Sequence, residues 1–148
     1  MRRRQFLAAS AGVLLTGLPT RAATRPKRIA FLGTVVREHS HAQHFLDRLT
    51  QGQNWGGRWL APRVEVASVY IDQFPEGDLG RQRIAKHGLK QYGTIAEALC
   101  LGGSSLAVDG VVIIAEHGKY PRNDKRQTRY PRYDWFKQVV EVFEASGR

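Results

Sequence analysis

The chain has 148 residues and a formal net charge of +10, and 42% of its residues are hydrophobic. This length is sufficient for one domain with a hydrophobic core. The single cysteine excludes a disulfide within the chain. Four of the positive charges lie in a short N-terminal segment, so the total charge alone does not indicate a nucleic-acid binder.

The first 22 residues have the layout of a twin-arginine export signal. A twin arginine at residues 3–4 precedes a weakly apolar run over residues 8–18, and the small residues Thr20 and Ala22 predict cleavage after Ala22. The run is too short and too rich in Ala and Gly for a permanent membrane anchor. We therefore expect a bacterial protein that the twin-arginine translocase exports to the periplasm, with residues 23–148 as its mature domain.

In the mature part, segments typical of strands alternate with segments typical of helices. Strands are predicted where apolar and β-branched residues run together, at residues 28–32, 64–71 and 111–115, with a short further strand near residues 90–92. Helices are predicted where apolar residues recur at helical spacing, at residues 40–51, 78–86, 94–101 and 134–145. This alternation predicts an α/β fold, a Rossmann-like doubly wound parallel sheet of about four strands.

Four segments carry expectations about burial or exposure. The predicted helices 40–51 and 134–145 are expected to bury the apolar residues Ala42, Phe45, Leu46 and Leu49, and Phe136, Val139, Val140 and Phe143. The continuous apolar run at 111–115 is typical of a strand covered on both faces. Residues 51–62, with two tryptophans and two glycines, either cover a pocket or form an Ω-like surface loop pinned by the tryptophans. We favour the surface loop, because long loops are only sometimes functional.

Three loops are expected at the carboxyl edge of the sheet, where open parallel sheets bind ligands. They are residues 33–41, the loop that begins at Asp72, and residues 116–121. Backbone N–H groups at the start of the helix that begins with Ser40, with Arg37 nearby, could hold a phosphate. Asp72 stands where an acid commonly accepts hydrogen bonds from a ribose.

The glycine fingerprint of a dinucleotide site is incomplete. Thr34, Val35 and Val36 follow Gly33 where further glycines would let the backbone approach a pyrophosphate. Either a nucleotide binds differently, or the site has been lost or serves another ligand.

Histidines gather at the same edge. His39, His41 and His44 lie close in sequence, and the pair Glu116-His117 follows the third long strand. Such a group could bind a transition metal, and His117 could act as a general acid or base. The spacing matches no known set of ligands, so we predict no metal and assign these histidines to capping, packing and the surface.

A basic stretch runs from Lys119 to Arg132, with the aromatic residues Tyr120, Tyr130, Tyr133 and Trp135 in it or directly after it. Such a stretch can bind nucleic acid, but export from the cytoplasm argues against that partner. A polyanionic cell-surface material, a phosphate-bearing ligand or a partner subunit would suit the compartment, and a solvated loop is the interpretation that we favour.

The order of these pieces resembles the N-terminal domain of the Gfo/Idh/MocA oxidoreductases, in particular exported members with a twin-arginine signal. The similar segments are residues 29–33, Ser40-His41 at the first helix, residues 88–99, residues 109–114, and Glu116-His117 where the family usually has Thr-Pro. The resemblance implies an NAD- or NADP-dependent oxidoreductase that acts on a sugar or polyol. The resemblance and the loop positions together predict eight cofactor-binding residues. They are Gly33, Thr34, Arg37, Ser40, His41, Asp72, Glu116 and His117.

The resemblance also implies what this chain lacks. The family's catalytic lysine follows the next strand, and its substrate domain lies further on. We therefore expect a truncated copy that does not complete a hydride transfer. The alternative is a noncatalytic periplasmic binding or interaction domain for a sugar or an anionic ligand.

Overall fold

A computed structural model describes residues 25–148. The strands are β1 (Lys27–Gly33), β2 (Gln53–Trp55), β3 (Arg58–Leu60), β4 (Val64–Ile71) and β5 (Gly110–Ile114). The helices are α1 (His41–Gln51), α2 (Gly80–His87), α3 (Ile95–Cys100) and α4 (Arg132–Ala145). The predicted export signal lies outside the described residues.

The main sheet is parallel and has the order β4-β1-β5. Gly33 at the end of β1 is in register with Ile71 of β4 and with Ile114 of β5, so the carboxyl ends of the three strands meet at one edge. The predicted α/β fold with a parallel sheet is confirmed, and it is compatible with a Rossmann-like core. The expected short strand near residues 90–92 is reduced to a single bridge between Gln91 and Val69, so three strands form this sheet within residues 25–148.

The capping residues act largely as their sequence patterns predict. Ser40 caps α1 by accepting a hydrogen bond from the backbone of Gln43, and Gly52 follows its last residue. Thr94 and Glu97 form a complete capping box at the start of α3. The second helix begins two residues later than expected, at Gly80, whose N–H donates to the Asp78 carboxylate over 2.7 Å.

Two hydrophobic cores lie on opposite faces of the sheet because successive side chains of a strand point to opposite faces. On one face, Leu32 of β1 packs with Leu99 of α3 and Trp135 of α4. On the other face, Phe31 packs with Leu46 of α1, in a cluster that α2 also covers. Helices therefore cover both faces of the sheet.

Residues 51–62 are not the irregular loop that we expected. They contain an antiparallel hairpin, β2 and β3, joined by Gly56 and Gly57 at φ values of 55° and 78°. Two consecutive residues at positive φ form the tight turn that Gly-Gly favours between strands. The tryptophans do not pin the segment, because Trp55 and Trp59 are 72% and 64% exposed.

Three burial predictions were wrong. All five residues of β5 are only half-buried, because β5 is an edge of the sheet in the described part of the chain. Phe45 is 44% exposed and Phe136 is 60% exposed. In α4 the neighbouring Trp135 is buried instead of Phe136, and its ring meets Tyr70 edge to face at 5.3 Å. The periodicity located the helix correctly, and Val139 is buried and Phe143 packs against the core as expected, so Phe136 is the misplaced residue.

Gly52 connects α1 to the hairpin, and replacing it tests that junction. Its φ is +94°, and an added Cβ would overlap the backbone carbonyl of Leu60. We expect Gly52→Ala to lower the free energy of unfolding by about 2–4 kcal/mol, from backbone strain and overpacking together. Gly57→Ala is the matched control, because Gly57 also has positive φ but has open space around it. It should cost about 1 kcal/mol. Urea unfolding of both variants measures the difference, and equal losses would contradict the predicted overlap.

Candidate functional site

The three predicted loops meet at the carboxyl edge of the sheet, and backbone hydrogen bonds connect them. The N–H groups of Asp72 and Gln73 donate to the carbonyls of Gly33 and Thr34, over 3.0 and 2.9 Å. On the other side of β1, the N–H of Thr34 donates to the carbonyl of Ile114 over 3.3 Å. The ladder of the sheet thus continues past the last residues of β1 and β4 into the first residues of the loops that follow them.

The loop after β1 is buried rather than open. Thr34, Val35 and Val36 are 2% exposed or less. The N–H of Val36 donates to the Asp78 carboxylate over 2.8 Å, and the N–H of Arg37 donates to the Ser40 hydroxyl over 3.3 Å. In dinucleotide sites the corresponding backbone approaches the pyrophosphate. Here branched side chains occupy that space, and two of the N–H groups already have acceptors in the protein.

Gly33 has a packing role that explains why glycine stands there. A Cβ at this position would lie 3.0 Å from the Phe31 ring. That contact is tight, and the ring is fully buried. The missing side chain of Gly33 thus leaves space for the buried Phe31 ring.

Glu116 is the point where the predicted histidines converge. The Nδ1 atom of His41 lies 2.8 Å from its Oε2 atom, and the Nε2 atom of His117 lies 3.9 Å from the same oxygen. The Thr34 hydroxyl donates a short hydrogen bond to the Glu116 backbone carbonyl. His41 is largely exposed, whereas the side chains of Glu116 and His117 are about two-thirds covered. The structure therefore brings His41, Glu116 and His117 together across 75 residues of sequence, as their predicted positions implied.

The other two histidines stand apart from this group. The ring of His39 is 6.5 Å from that of His44, and the His39 backbone N–H donates to the Gln43 side chain. Within residues 25–148, no three His, Cys, Asp or Glu side chains are placed to hold a metal ion together. Arg37 is exposed, and the buried Ser40 hydroxyl accepts from the Gln43 N–H and donates to the Arg37 carbonyl over 2.6 Å.

Asp72 is held by two tyrosines that sequence reasoning did not identify. The hydroxyl of Tyr70 donates to its Oδ1 atom over 2.9 Å, and the hydroxyl of Tyr120 donates to its Oδ2 atom over 2.6 Å. Gln73 adds a weaker hydrogen bond to Oδ2 and also binds both backbone groups of Lys119. We call Asp72, Tyr70 and Tyr120 the tyrosine clamp. The alternation of β4 could have indicated that Tyr70 and Asp72 share a face, since they are two residues apart.

Both tyrosines of the clamp resist ionisation. Burial raises the pKa of Tyr70 to about 12, and the hydrogen bond and negative charge of Asp72 add to this effect. Burial likewise raises the pKa of Tyr120, and Asp72 raises it further. The two hydroxyls of the clamp are thus neutral at physiological pH.

The basic stretch lies over this edge, and one of its members is structural. The Nε atom of Arg132 donates to the Ala115 carbonyl over 3.1 Å, and its guanidinium lies 5.3 Å from the Tyr130 ring centre. Tyr130 meets Tyr120 edge to face at 5.8 Å. The remaining basic side chains of the stretch are exposed: Lys119, Arg122, Lys125, Arg126 and Arg129.

Comparisons with protein-family models, with curated proteins and with solved structures found no match for this chain. None of the helices within residues 25–148 has the length and apolar character needed to cross a membrane.

The tyrosine clamp predicts a specific alkaline titration. Because the folded pKa values lie above the usual value near 10, the stability that the neutral tyrosines contribute is complete below pH 10 and is lost as pH rises toward 12. Asp72→Asn removes the carboxylate but leaves the burial, so both tyrosines should ionise at lower pH than in the original protein. Absorbance near 295 nm as a function of pH measures this ionisation.

Asp124→Asn is the matched control for this titration, because Asp124 is an exposed acid in the basic stretch. It should leave the curve unchanged. If Asp72→Asn also left the curve unchanged, the two hydrogen bonds of the clamp would not exist in solution.

Proposed function

We propose that residues 25–148 form a Rossmann-like binding domain for a small polyhydroxylated ligand, a sugar or the sugar portion of a nucleotide. The ligand would bind at the carboxyl edge of the sheet, between Glu116 and the tyrosine clamp. The observation that carries this proposal is the pair of carboxylates, Glu116 and Asp72, that follow two strands flanking β1 and are each oriented by neighbouring side chains.

Carboxylates oriented in this way can accept hydrogen bonds from the hydroxyl groups of a ligand. An ionised carboxylate has about four acceptor sites, and the hydrogen bonds of Asp72 leave part of this capacity free. His41 and His117 can donate to a ligand oxygen or accept from a ligand hydroxyl, according to their tautomer. Such groups would select the hydroxyls of a ligand by the direction of their hydrogen bonds as well as by the negative charge of the carboxylates.

The geometry favours a ligand that does not place a pyrophosphate on the loop after β1. The buried side chains of Thr34, Val35 and Val36, together with the occupied N–H groups of Val36 and Arg37, argue against that position. A sugar does not need free backbone N–H groups in this loop, whereas a nucleotide would have to place its phosphates elsewhere.

A second candidate is the cofactor half of an NAD- or NADP-dependent oxidoreductase of the Gfo/Idh/MocA type, acting on a sugar or polyol. The order β4-β1-β5, with a bridge outside β4, supports it, because this order is found at the switch point of dinucleotide-binding sheets. In that arrangement Asp72 would face the ribose, and Glu116 with His117 would lie near the nicotinamide. We further propose that residues 1–22 direct export, so that either ligand would be met in the periplasm or bound before transport.

Thermal unfolding with separate ligands tests both candidates. We expect neutral and acidic sugars to include a binder that stabilises the protein by about 2.7 kcal/mol at a hundredfold excess over its Kd, and NAD and NADP to shift the midpoint less. Glu116→Gln should abolish the shift, because the amide cannot provide the same acceptors. Glu144→Gln, at an exposed position of α4, should retain it.

The outcomes separate the candidates. A shift with NAD or NADP that exceeds the shift with any sugar or mononucleotide, and that Asp72→Asn removes, would favour the oxidoreductase half over the sugar-binding domain. A sugar-induced shift that survives Glu116→Gln would contradict the placement of the ligand at this edge.

A further inference from the structure

A second exposed surface lies at the hairpin, which connects the end of α1 to the start of β4. Within residues 25–148, six large hydrophobic side chains are exposed, and four of them are on the hairpin or on α1 beside it: Phe45, Trp55, Trp59 and Leu60. Together with the arginines at positions 48, 58 and 63, we call them the hairpin patch. Grouped exposed apolar side chains of this kind mark interaction surfaces.

The tryptophans lie on opposite faces of the hairpin. The register pairs Trp55 with Arg58, and Asn54 with Trp59. Paired residues share a face and successive residues alternate, so one tryptophan points to each side of the two-stranded tip. A ligand in a cleft would contact only one of them. Trp59 lines a groove of about 590 Å³ with Phe45 and Leu60, whereas Trp55 lies outside it.

The charges of the patch have one sign. Arg48, Arg58 and Arg63 are exposed, and none of the three forms an ion pair with the acids of the described chain. By contrast, Arg83 nearby is paired with Asp47 at 2.7 Å. The patch therefore attracts an anionic partner. A second copy of the chain would bring arginines against arginines in a twofold interface, which opposes self-association here.

We propose that the hairpin patch docks on the surface of an anionic lipid bilayer. Tryptophan is enriched at the level of the lipid headgroups, where its ring is buried and its N–H remains hydrated. Arginines beside the rings would meet the headgroup phosphates. Insertion of the tip uses both tryptophans at once, and this accounts for their exposure on both faces. This proposal is independent of the ligand at the carboxyl edge.

Binding of the full chain to vesicles tests the proposal. We expect sedimentation with vesicles of phosphatidylglycerol and phosphatidylcholine but not with phosphatidylcholine alone. Replacing the three arginines by glutamine should lower the partition coefficient about a hundredfold, from about 1 kcal/mol for each basic residue near an anionic surface.

Lipids brominated in their acyl chains should quench Trp55 and Trp59, while the buried Trp135 stays unquenched. Trp55→Ala with Trp59→Ala should also lower the fraction that sediments with the anionic vesicles, because both rings insert.

Matched controls separate the patch from other basic or aromatic surfaces. Lys125→Gln, Arg126→Gln and Arg129→Gln remove the same charge from the basic stretch, and Tyr133→Ala with Phe136→Ala removes exposed aromatics from α4. These variants should bind within about twofold of the original protein.

Two results would overturn the proposal. If the hairpin variants bind vesicles as the original protein does, the binding resides elsewhere, for example in the arginines of residues 1–24. If heparin changes the tryptophan fluorescence while brominated lipids do not, the patch binds an anionic glycan and not a membrane.

Discussion

The arrangement of the candidate site depends on the central position of β1. This strand is hydrogen bonded on both sides, and its ladder extends beyond Gly33 to Thr34, which engages Gln73 on one side and Ile114 on the other. Because parallel strands in this register end at one level, the loops that follow them begin only about 5 Å apart from neighbour to neighbour. Glu116 and the tyrosine clamp are therefore placed by backbone geometry first and by their side-chain contacts second.

The same constraint explains the character of the loop after β1. Its residues are drawn into the core, and Asp78 at the start of α2 accepts the N–H of Val36. A loop with two further glycines could have presented its N–H groups to a ligand. This chain uses the same stretch to connect β1, α1 and α2, so the polar groups available to a ligand are side chains instead of backbone amides.

Much of the fold could be predicted from local signals. The boundaries of β4, the cap of α1 at Ser40 and the capping box at Thr94 depend on residues close in sequence, and the structure confirms them. The same reasoning missed the hairpin, although Gly56-Gly57 is a recognised turn signal, because its strands are only three residues long. The exposure of Phe136 depends on which side of α4 meets the sheet, and this is decided by Trp135 and Tyr70 in three dimensions. The carboxyl edge could be located in advance, and the two-residue spacing of Tyr70 and Asp72 is a local signal for half of the tyrosine clamp. Tyr120 lies 48 residues from Asp72, and no pattern in the sequence links the two.

The half-buried edge of β5 has a consequence for handling the protein. Its outer backbone groups are unpaired within the described chain, and the strand Gly110–Ile114 contains neither proline nor a charged residue. Natural sheets commonly protect such edges with charges, proline or a covering segment, because an open apolar edge is a template for strand addition. Whatever strand next reaches β5, from the same polypeptide or from another, would extend the sheet. Association between copies of the domain at high concentration would therefore be expected to begin at this strand.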